Sequence, residues 1–117
     1  MKESEVNELM IELRKFAQNR DWEQFHSPKN LSMALSVEAA ELLEHFQWTP
    51  EQATYKLGEA KHQLVGYELA DIFIYLLLIC DQLNIDLIEV TKAKMDINNQ
   101  RYPVSKVKGS SKKYTEY

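Results

Sequence analysis

Two pairs of carboxylates are the residues of this chain whose types and spacing best fit chemistry. Glu38 and Glu41 are three residues apart, and Glu68 and Asp71 repeat that spacing. Side chains three apart on a helix lie on one face, with Cβ atoms about 5–6 Å apart, so each pair directs two carboxylates the same way. Such charges repel unless a cation neutralises them. The pattern predicts a divalent metal site, with Mg²⁺ favoured because it prefers carboxylate oxygens and substrate phosphates.

The second pair lies inside an apolar run, which strengthens this prediction. From Leu69 to Ile79 the only polar groups are the Asp71 carboxylate and the Tyr75 hydroxyl. Burying an unpaired carboxylate is costly, so Asp71 needs a neutralising partner. The first pair alone, together with Glu44, would also fit an ordinary solvated helix face.

A different metal site is also conceivable from the sequence. Glu23 with His26, and Glu59 with His62, both have the E-x-x-H spacing of di-iron carboxylate bundles. However, His26 comes just before Pro28 and is expected in a loop. Glu59 and His62 lie in a polar stretch with no apolar stripe to direct them inward. The magnesium hypothesis is therefore preferred.

Aromatic and basic residues accompany the acidic pairs. Trp22, Phe25 and His26 fall in the first loop, Trp48 ends the second helix, and Tyr75 follows Asp71 by one turn. Such clusters are usually core, but beside a polyphosphate site they can stack on a nucleobase for roughly 1–3 kcal/mol. A face of the fourth helix combines Lys94, Asn98, Arg101 and Tyr102. Its cations can bind phosphates or pair with the helix C-terminus.

The elements that must position these residues are helices. Apolar residues recur at helical spacing over 3–18 and about 30–46. A third stretch is expected to start with a Thr49 capping box, to be broken near Gly58 or Gly66, and to end near Leu83. Asp86 is expected to cap a fourth helix that ends near Gln100. We predict an all-α, four-helix-bundle-like domain over residues 1–102 and a basic, polar C-terminal tail over 103–117.

Composition limits the remaining possibilities. The net charge is −4, with 9 basic and 17 acidic residues in 1–100 but 5 basic and 1 acidic in 101–117. An acidic body argues against nucleic-acid binding. The longest apolar run is too short to span a membrane, and the N-terminus lacks a signal-peptide pattern. A single cysteine, Cys80, fits a reducing compartment, so we expect a cytoplasmic protein. The third helix is apolar all round, which predicts a homo-oligomer.

The helical segments and acidic pairs described above resemble those of the MazG-like, all-α nucleoside triphosphate pyrophosphohydrolases. Within that family, the resemblance is to the dCTP pyrophosphatases. The E-x-x-E element alone is common, whereas the ordered set of motifs is specific. The resemblance spans about residues 5–116. It is carried by RDWEQFHSPKNL (20–31), SVEAAELLEHFQW (36–48), ELADIFIYLL (68–77), KMDINNQRYP (94–103) and SSKKYTE (110–116). One departure is Leu13, which stands where some relatives have a histidine.

The resemblance implies a MazG-type fold and a Mg²⁺-dependent enzyme of nucleotide-pool house-cleaning. Its reaction would hydrolyse a nucleoside triphosphate, dCTP or a 5-modified dCTP, to the monophosphate and pyrophosphate, within a homotetramer rather than a dimer. The alternative is a non-catalytic helical oligomerisation module that binds a partner. The resemblance implies Glu38, Glu41, Glu68 and Asp71 as metal ligands. For the hydrolysis it implies, we expect Glu38, Glu41 and Glu44 to be catalytic, with Glu41 or Glu44 accepting the proton. The resemblance implies as substrate-binding residues Trp22, Glu23, Gln24, Phe25, His26, Trp48, Tyr75, Lys94, Asn98, Arg101 and Tyr102.

Overall fold

The computed structural model describes residues 3–111 and 114–116, and within these ranges the regular structure is entirely helical. The α-helices are α1 (Glu3–Asn19), α2 (Pro28–Glu44), α3 (Glu59–Leu83), α4 (Leu87–Arg101) and α5 (Val104–Val107). Short 3₁₀ helices cover Glu23–Phe25, Glu51–Tyr55 and Tyr114–Glu116. The chain divides into two compact units, the first ending at Ile85 and the second beginning at Asp86.

In the first unit, α3 packs extensively against α2 and more lightly against α1. The buried apolar side chains come from all three helices, and Leu31 of α2 and Leu77 of α3 are each only 1% exposed. Cys80 is buried and free, and burial raises the pKa of its thiol. It therefore acts as a small apolar side chain of the core.

The start of α2 lies earlier than predicted, at Pro28 rather than near Asn30. The Ser27 hydroxyl accepts a hydrogen bond from the Asn30 amide at 3.1 Å, which satisfies a donor that the first helical turn leaves unpaired. Pro28 fits directly after this cap because its fixed φ suits the first helical position and its missing N–H is not needed there. The proline belongs to the helix start, not to the loop.

The predicted capping box at Thr49 is wrong. A 3₁₀ helix starts at Glu51 instead, and its cap residue, Pro50, has no side chain to accept a hydrogen bond. The chain then turns, and α3 starts after Gly58, whose backbone is extended at φ −63° and ψ 158°. Of the two glycines considered, Gly58 therefore marks the break, whereas Gly66 lies within an uninterrupted helix.

The boundary between α3 and α4 confirms the predicted cap. Asn84 adopts the left-handed conformation that ends α3, with φ 53°. The Asp86 carboxylate accepts from the Glu89 amide at 3.1 Å and begins α4. Within the predicted basic, polar C-terminal tail, the structure forms two short helices, α5 and the 3₁₀ helix from Tyr114 to Glu116. Lys112, Lys113 and Tyr117 lie outside the described residues.

Much of α3 stays uncovered by the rest of its unit. Leu64, Tyr67 and Leu69 are 53%, 60% and 51% exposed. By length and composition α3 would also suit a membrane span, but a core helix of a soluble protein meets the same two conditions. The acidic residues Glu68 and Asp71 on this helix would be costly in a bilayer.

Candidate functional site

Three carboxylates meet where α2 packs against α3. Glu38 and Glu41 lie on α2, and Glu68 lies on α3. One oxygen from each can be chosen so that all three oxygens lie within 4.8 Å of one another. The helical spacing brings the first two together, and the packing of the two helices brings in the third. In the part of the chain that the structure describes, this is the one group with the composition and spacing of a metal site.

Two oxygens of this carboxylate cluster are buried without a partner. Glu38 Oε2 and Glu68 Oε2 have no hydrogen-bond donor within the described residues. While both carboxylates are ionised, their oxygens can accept hydrogen bonds but cannot donate them, so neither residue can satisfy the other. A buried acceptor without a donor is costly, and a cation with oxygen ligands would satisfy both atoms at once.

Glu38 responds most strongly to this crowding. Once protonated, it can donate a hydrogen bond to Glu68, and this bond is the main cause that raises the pKa of Glu38 to about 7. Burial, the neighbouring Glu41 and the negative charge of Asp71 act in the same direction. A proton on Glu38 thus neutralises part of the negative charge that a bound metal ion would neutralise.

Asp71 lies one turn after Glu68 on α3, but it is not one of the three clustered residues. It is also exposed, so the burial expected from its apolar sequence neighbours is wrong. Its charge nevertheless acts on Glu38, so it belongs to the same electrostatic environment. Tyr75 follows one turn later. Burial, followed by the negative charges of Glu38, Asp71 and Glu41, raises the pKa of its hydroxyl. A row of polar groups therefore runs along α3 from the carboxylate cluster to Tyr75.

A cavity of about 390 Å³ is lined by two members of this row, Asp71 and Tyr75. Its volume falls within the roughly 300–1,000 Å³ of typical small-molecule sites. One wall is α3, the opposite wall is α1, and the loop after α1 closes a side. The lining residues are Glu12, Leu13, Phe16, Ala17, Trp22, His26, Asp71, Ile74, Tyr75 and Leu78.

Local contacts build the loop side of this cavity. Asp21 takes a positive φ of 54°, which reverses the chain after α1. The Trp22 amide then donates to the Ala17 carbonyl at 2.9 Å. The Trp22 ring packs edge to face on Phe16, with centroids 5.6 Å apart. Trp22 is thereby packed on α1, so the aromatic wall of the cavity belongs to the same packed unit as that helix.

The structure brings some predicted site residues together and leaves others apart. Trp22, His26, Asp71 and Tyr75 line the cavity, and Glu38, Glu41 and Glu68 cluster. Other predicted residues belong to neither group and are largely exposed: Glu23, Gln24, Phe25, Glu44 and Trp48, the last at 88% exposure. The set Lys94, Asn98, Arg101 and Tyr102 lies on or just after α4, in the second unit.

The di-iron alternative finds no support in the described residues. Glu59 and His62 are exposed in the first turn of α3. Glu23 begins the short 3₁₀ helix, and His26 follows that helix and lines the cavity. Neither pair belongs to the carboxylate cluster.

Several cavity residues were missed as site residues from the sequence. On α1 these are Glu12, Phe16 and Ala17, and on α3 they are Ile74 and Leu78. Leu13, which the sequence singled out only as a departure from some relatives, also lines the cavity. The apolar members looked like ordinary core positions. The available signal was that 13, 16 and 17 share a helical face, as do 71, 74, 75 and 78.

Comparison with known proteins identifies the family of this chain. The model of the MazG-like family matches residues 33–117. The chain belongs to the MazG-like family. It is 43% identical over 103 residues to the proteins named dCTP pyrophosphatase 1 from Homo sapiens and Bos taurus, which covers 86% of this chain and 61% of each relative. The chain therefore spans about three fifths of the length of these curated relatives.

A solved structure extends the comparison to the fold. A crystal structure described as a pyrophosphatase from Archaeoglobus fulgidus DSM 4304 superposes with a TM-score of 0.80 at 43% identity. The match covers 85% of this chain and 93% of that one. The all-α, MazG-like fold expected from the sequence is confirmed.

Proposed function

We propose that this chain is a Mg²⁺-dependent nucleoside triphosphate pyrophosphohydrolase. Its substrate is dCTP or a 5-modified dCTP, and its products are the monophosphate and pyrophosphate. The observation that carries the proposal is the carboxylate cluster of α2 and α3, with its two partnerless oxygens, next to a cavity of about 390 Å³. The names of the similar proteins, dCTP pyrophosphatase 1 and a pyrophosphatase, support the reaction and the substrate.

The cluster fits a magnesium ion by its chemistry. Glu38, Glu41 and Glu68 offer hard oxygen ligands, and the buried Oε2 atoms of Glu38 and Glu68 need a positive partner. Asp71 adds a fourth carboxylate one turn from Glu68. When bound, Mg²⁺ offsets the charge of the phosphates and lowers the pKa of a coordinated water.

The residues of the chain then bind, orient and move a proton. Water attacks the α-phosphorus, the bond from that phosphorus to the leaving pyrophosphate breaks, and a carboxylate takes the proton of the water. Glu41 or Glu44 is the acceptor. Glu41 is half-buried and belongs to the carboxylate cluster. Glu44 lies one turn further along α2, is exposed and is not a member of the cluster.

The cavity binds the nucleobase rather than the polyphosphate. Its lining includes the carboxylate of Glu12, which lies on α1 outside the carboxylate cluster and would repel phosphate oxygens. Trp22, His26 and Tyr75 offer flat, partly polar surfaces for the base. Glu23, Gln24, Phe25 and Trp48 stay proposed contacts of the base and sugar. Lys94, Asn98, Arg101 and Tyr102 stay proposed contacts of the phosphates.

The proposed enzyme is a cytoplasmic homo-oligomer, a tetramer rather than a dimer, that does not bind nucleic acid. Support for an assembly comes from the large apolar side chains that one chain leaves uncovered on α2 and α3. Val37, Leu43, Leu64 and Leu69 are each more than half exposed. Burying such side chains against another copy would contribute about 25 cal/mol per Å² of apolar surface.

The decisive experiment measures pyrophosphate release from a panel of triphosphates with and without Mg²⁺. We expect release from dCTP only with the metal. Glu38→Gln and Asp71→Asn should lower kcat by about 100-fold or more, because groups that stabilise transition-state charge contribute that much. Glu59→Gln is the matched control, since Glu59 is an exposed glutamate of α3. No release from any triphosphate would favour the non-catalytic oligomerisation module, and loss of activity in the Glu59 control would revive the di-iron site.

A further inference from the structure

The feature that the proposed function leaves unused is an ion pair between α1 and α3. Arg14 Nε donates to Asp81 Oδ2 at 2.8 Å, and a terminal nitrogen of the same guanidinium donates to Oδ1. The ion pair is therefore bidentate, and two parallel hydrogen bonds fix the orientation of the two side chains as well as their distance. Arg14 also holds the pKa of the Asp81 carboxyl below its usual range, so the pair stays ionised at neutral pH.

The pair lies at the edge of the cavity without lining it. On α1, Arg14 directly follows Leu13 and precedes Ala17 by one turn, and both of those residues line the cavity. On α3, Asp81 follows the lining residue Leu78 by one turn. The two charged groups thus connect the two helices whose facing sides form the opposite walls.

Little else attaches α1 to α3. Their packing is light compared with that between α2 and α3, and among the described residues only Val6 and Ala17 are buried apolar side chains of α1. Leu9, Ile11 and Phe16 are 39%, 48% and 46% exposed. Because Trp22 is attached to α1 through Phe16 and Ala17, any shift of α1 carries the aromatic wall with it.

We propose that the Arg14–Asp81 pair is a positioning clamp that holds the α1 wall of the base cavity against α3. It sets the affinity for the base without touching substrate or metal. The carboxylate cluster is built by α2 and α3 alone, so the clamp acts on nucleotide binding and leaves the hydrolytic step unchanged. The effect on binding rests on the proposed function, whereas the effect on α1 does not.

The test compares four variants of the full chain: Arg14→Ala, Asp81→Ala, the exchanged pair Arg14→Asp with Asp81→Arg, and Lys15→Ala. Lys15 is the matched control, because it is an exposed cation at the next position of the same helix. The measurements are amide hydrogen exchange along α1, kcat and KM for dCTP, and the Mg²⁺ concentration for half-maximal rate.

Both alanine variants should exchange faster along α1 and show a KM raised by up to about fivefold, which corresponds to the roughly 1 kcal/mol that an exposed ion pair contributes at most. Their kcat and Mg²⁺ requirement should stay near wild type. The exchanged pair should recover both exchange and KM, and the lysine control should match wild type. A purely structural defect would instead lower kcat and raise the Mg²⁺ requirement together, without recovery in the exchanged pair.

Two results would overturn the clamp: unchanged exchange along α1 in the alanine variants, or faster exchange with an unchanged KM in an active enzyme. If the wild-type chain releases no pyrophosphate from any triphosphate, the proposed function is wrong. Hydrogen exchange then decides the clamp alone, since only a genuine clamp gives faster exchange in both alanine variants and recovery in the exchanged pair.

Discussion

Replacing Glu38 with glutamine should stabilise the metal-free protein at high pH, although it should destroy the proposed activity. Crowding in the carboxylate cluster raises the pKa of Glu38 from 4.5 to about 7. A group whose pKa is raised on folding contributes stability that is fully present below its unfolded pKa. That stability is lost as the pH rises through the folded pKa. The wild-type chain should therefore lose stability from Glu38 between about pH 4.5 and 7, whereas the glutamine variant carries no titrating group there.

The magnitude follows from the size of the shift. Each pKa unit corresponds to about 1.4 kcal/mol, but solvent screening at this half-buried position reduces the sum to the order of 1–2 kcal/mol. For a domain of this size that corresponds to about 3–10 °C in Tm. The assay is thermal unfolding with a chelator at pH 5 and pH 8. The glutamine variant should melt close to wild type at pH 5 and several degrees higher at pH 8.

Magnesium should reverse the comparison. Because the metal and the proton compete for the same oxygens, Mg²⁺ should raise the Tm of the wild type more at pH 8 than at pH 5. It should raise the Tm of Glu38→Gln little at either pH. An equal Tm difference between the two proteins at both pH values would show that the cluster does not raise the pKa of Glu38. An equal effect of Mg²⁺ on the two proteins would refute the metal assignment.

Three further predictions concern packing, capping and recognition. Leu77→Ala should cost about 2–5 kcal/mol in urea unfolding, because Leu77 is 1% exposed, whereas Leu64→Ala at 53% exposure should cost far less; equal costs would contradict the described core. Ser27→Ala should lower the free energy of unfolding by about 1 kcal/mol in the same measurement, because α2 loses its cap. An unchanged free energy would show that Ser27 does not stabilise α2. Trp22→Ala should raise KM for dCTP by about tenfold while kcat changes little, as expected for lost base stacking; an unaffected KM would place the base elsewhere.

The sequence was most informative where local rules decide the structure. The α1 boundaries and the Asp86 cap depend on residues within one or two turns, and both predictions are confirmed. The Thr49 capping box failed although its local pattern was acceptable, because the chain forms a 3₁₀ helix there and restarts only after Gly58. A motif of four residues does not specify which helix type follows.

Site geometry was predictable only within a single helix. Helical spacing is enough to place Glu38 beside Glu41. That Glu68 rather than Asp71 completes the closest group depends on how α2 packs against α3, which spacing does not reveal. The α1 wall of the cavity was missed for the same reason. Leu13 and Phe16 look like core residues until α3 is seen to leave a space opposite them.

The hairpin of α2 and α3 carries all three clustered carboxylates, while α1 and its loop supply a separate wall. If the cavity binds the base as proposed, residues of the first helix could change which nucleotide is accepted, while the carboxylates of α2 and α3 stay the same. An engineer seeking a new specificity would accordingly randomise positions 12, 13 and 16 and keep the hairpin constant.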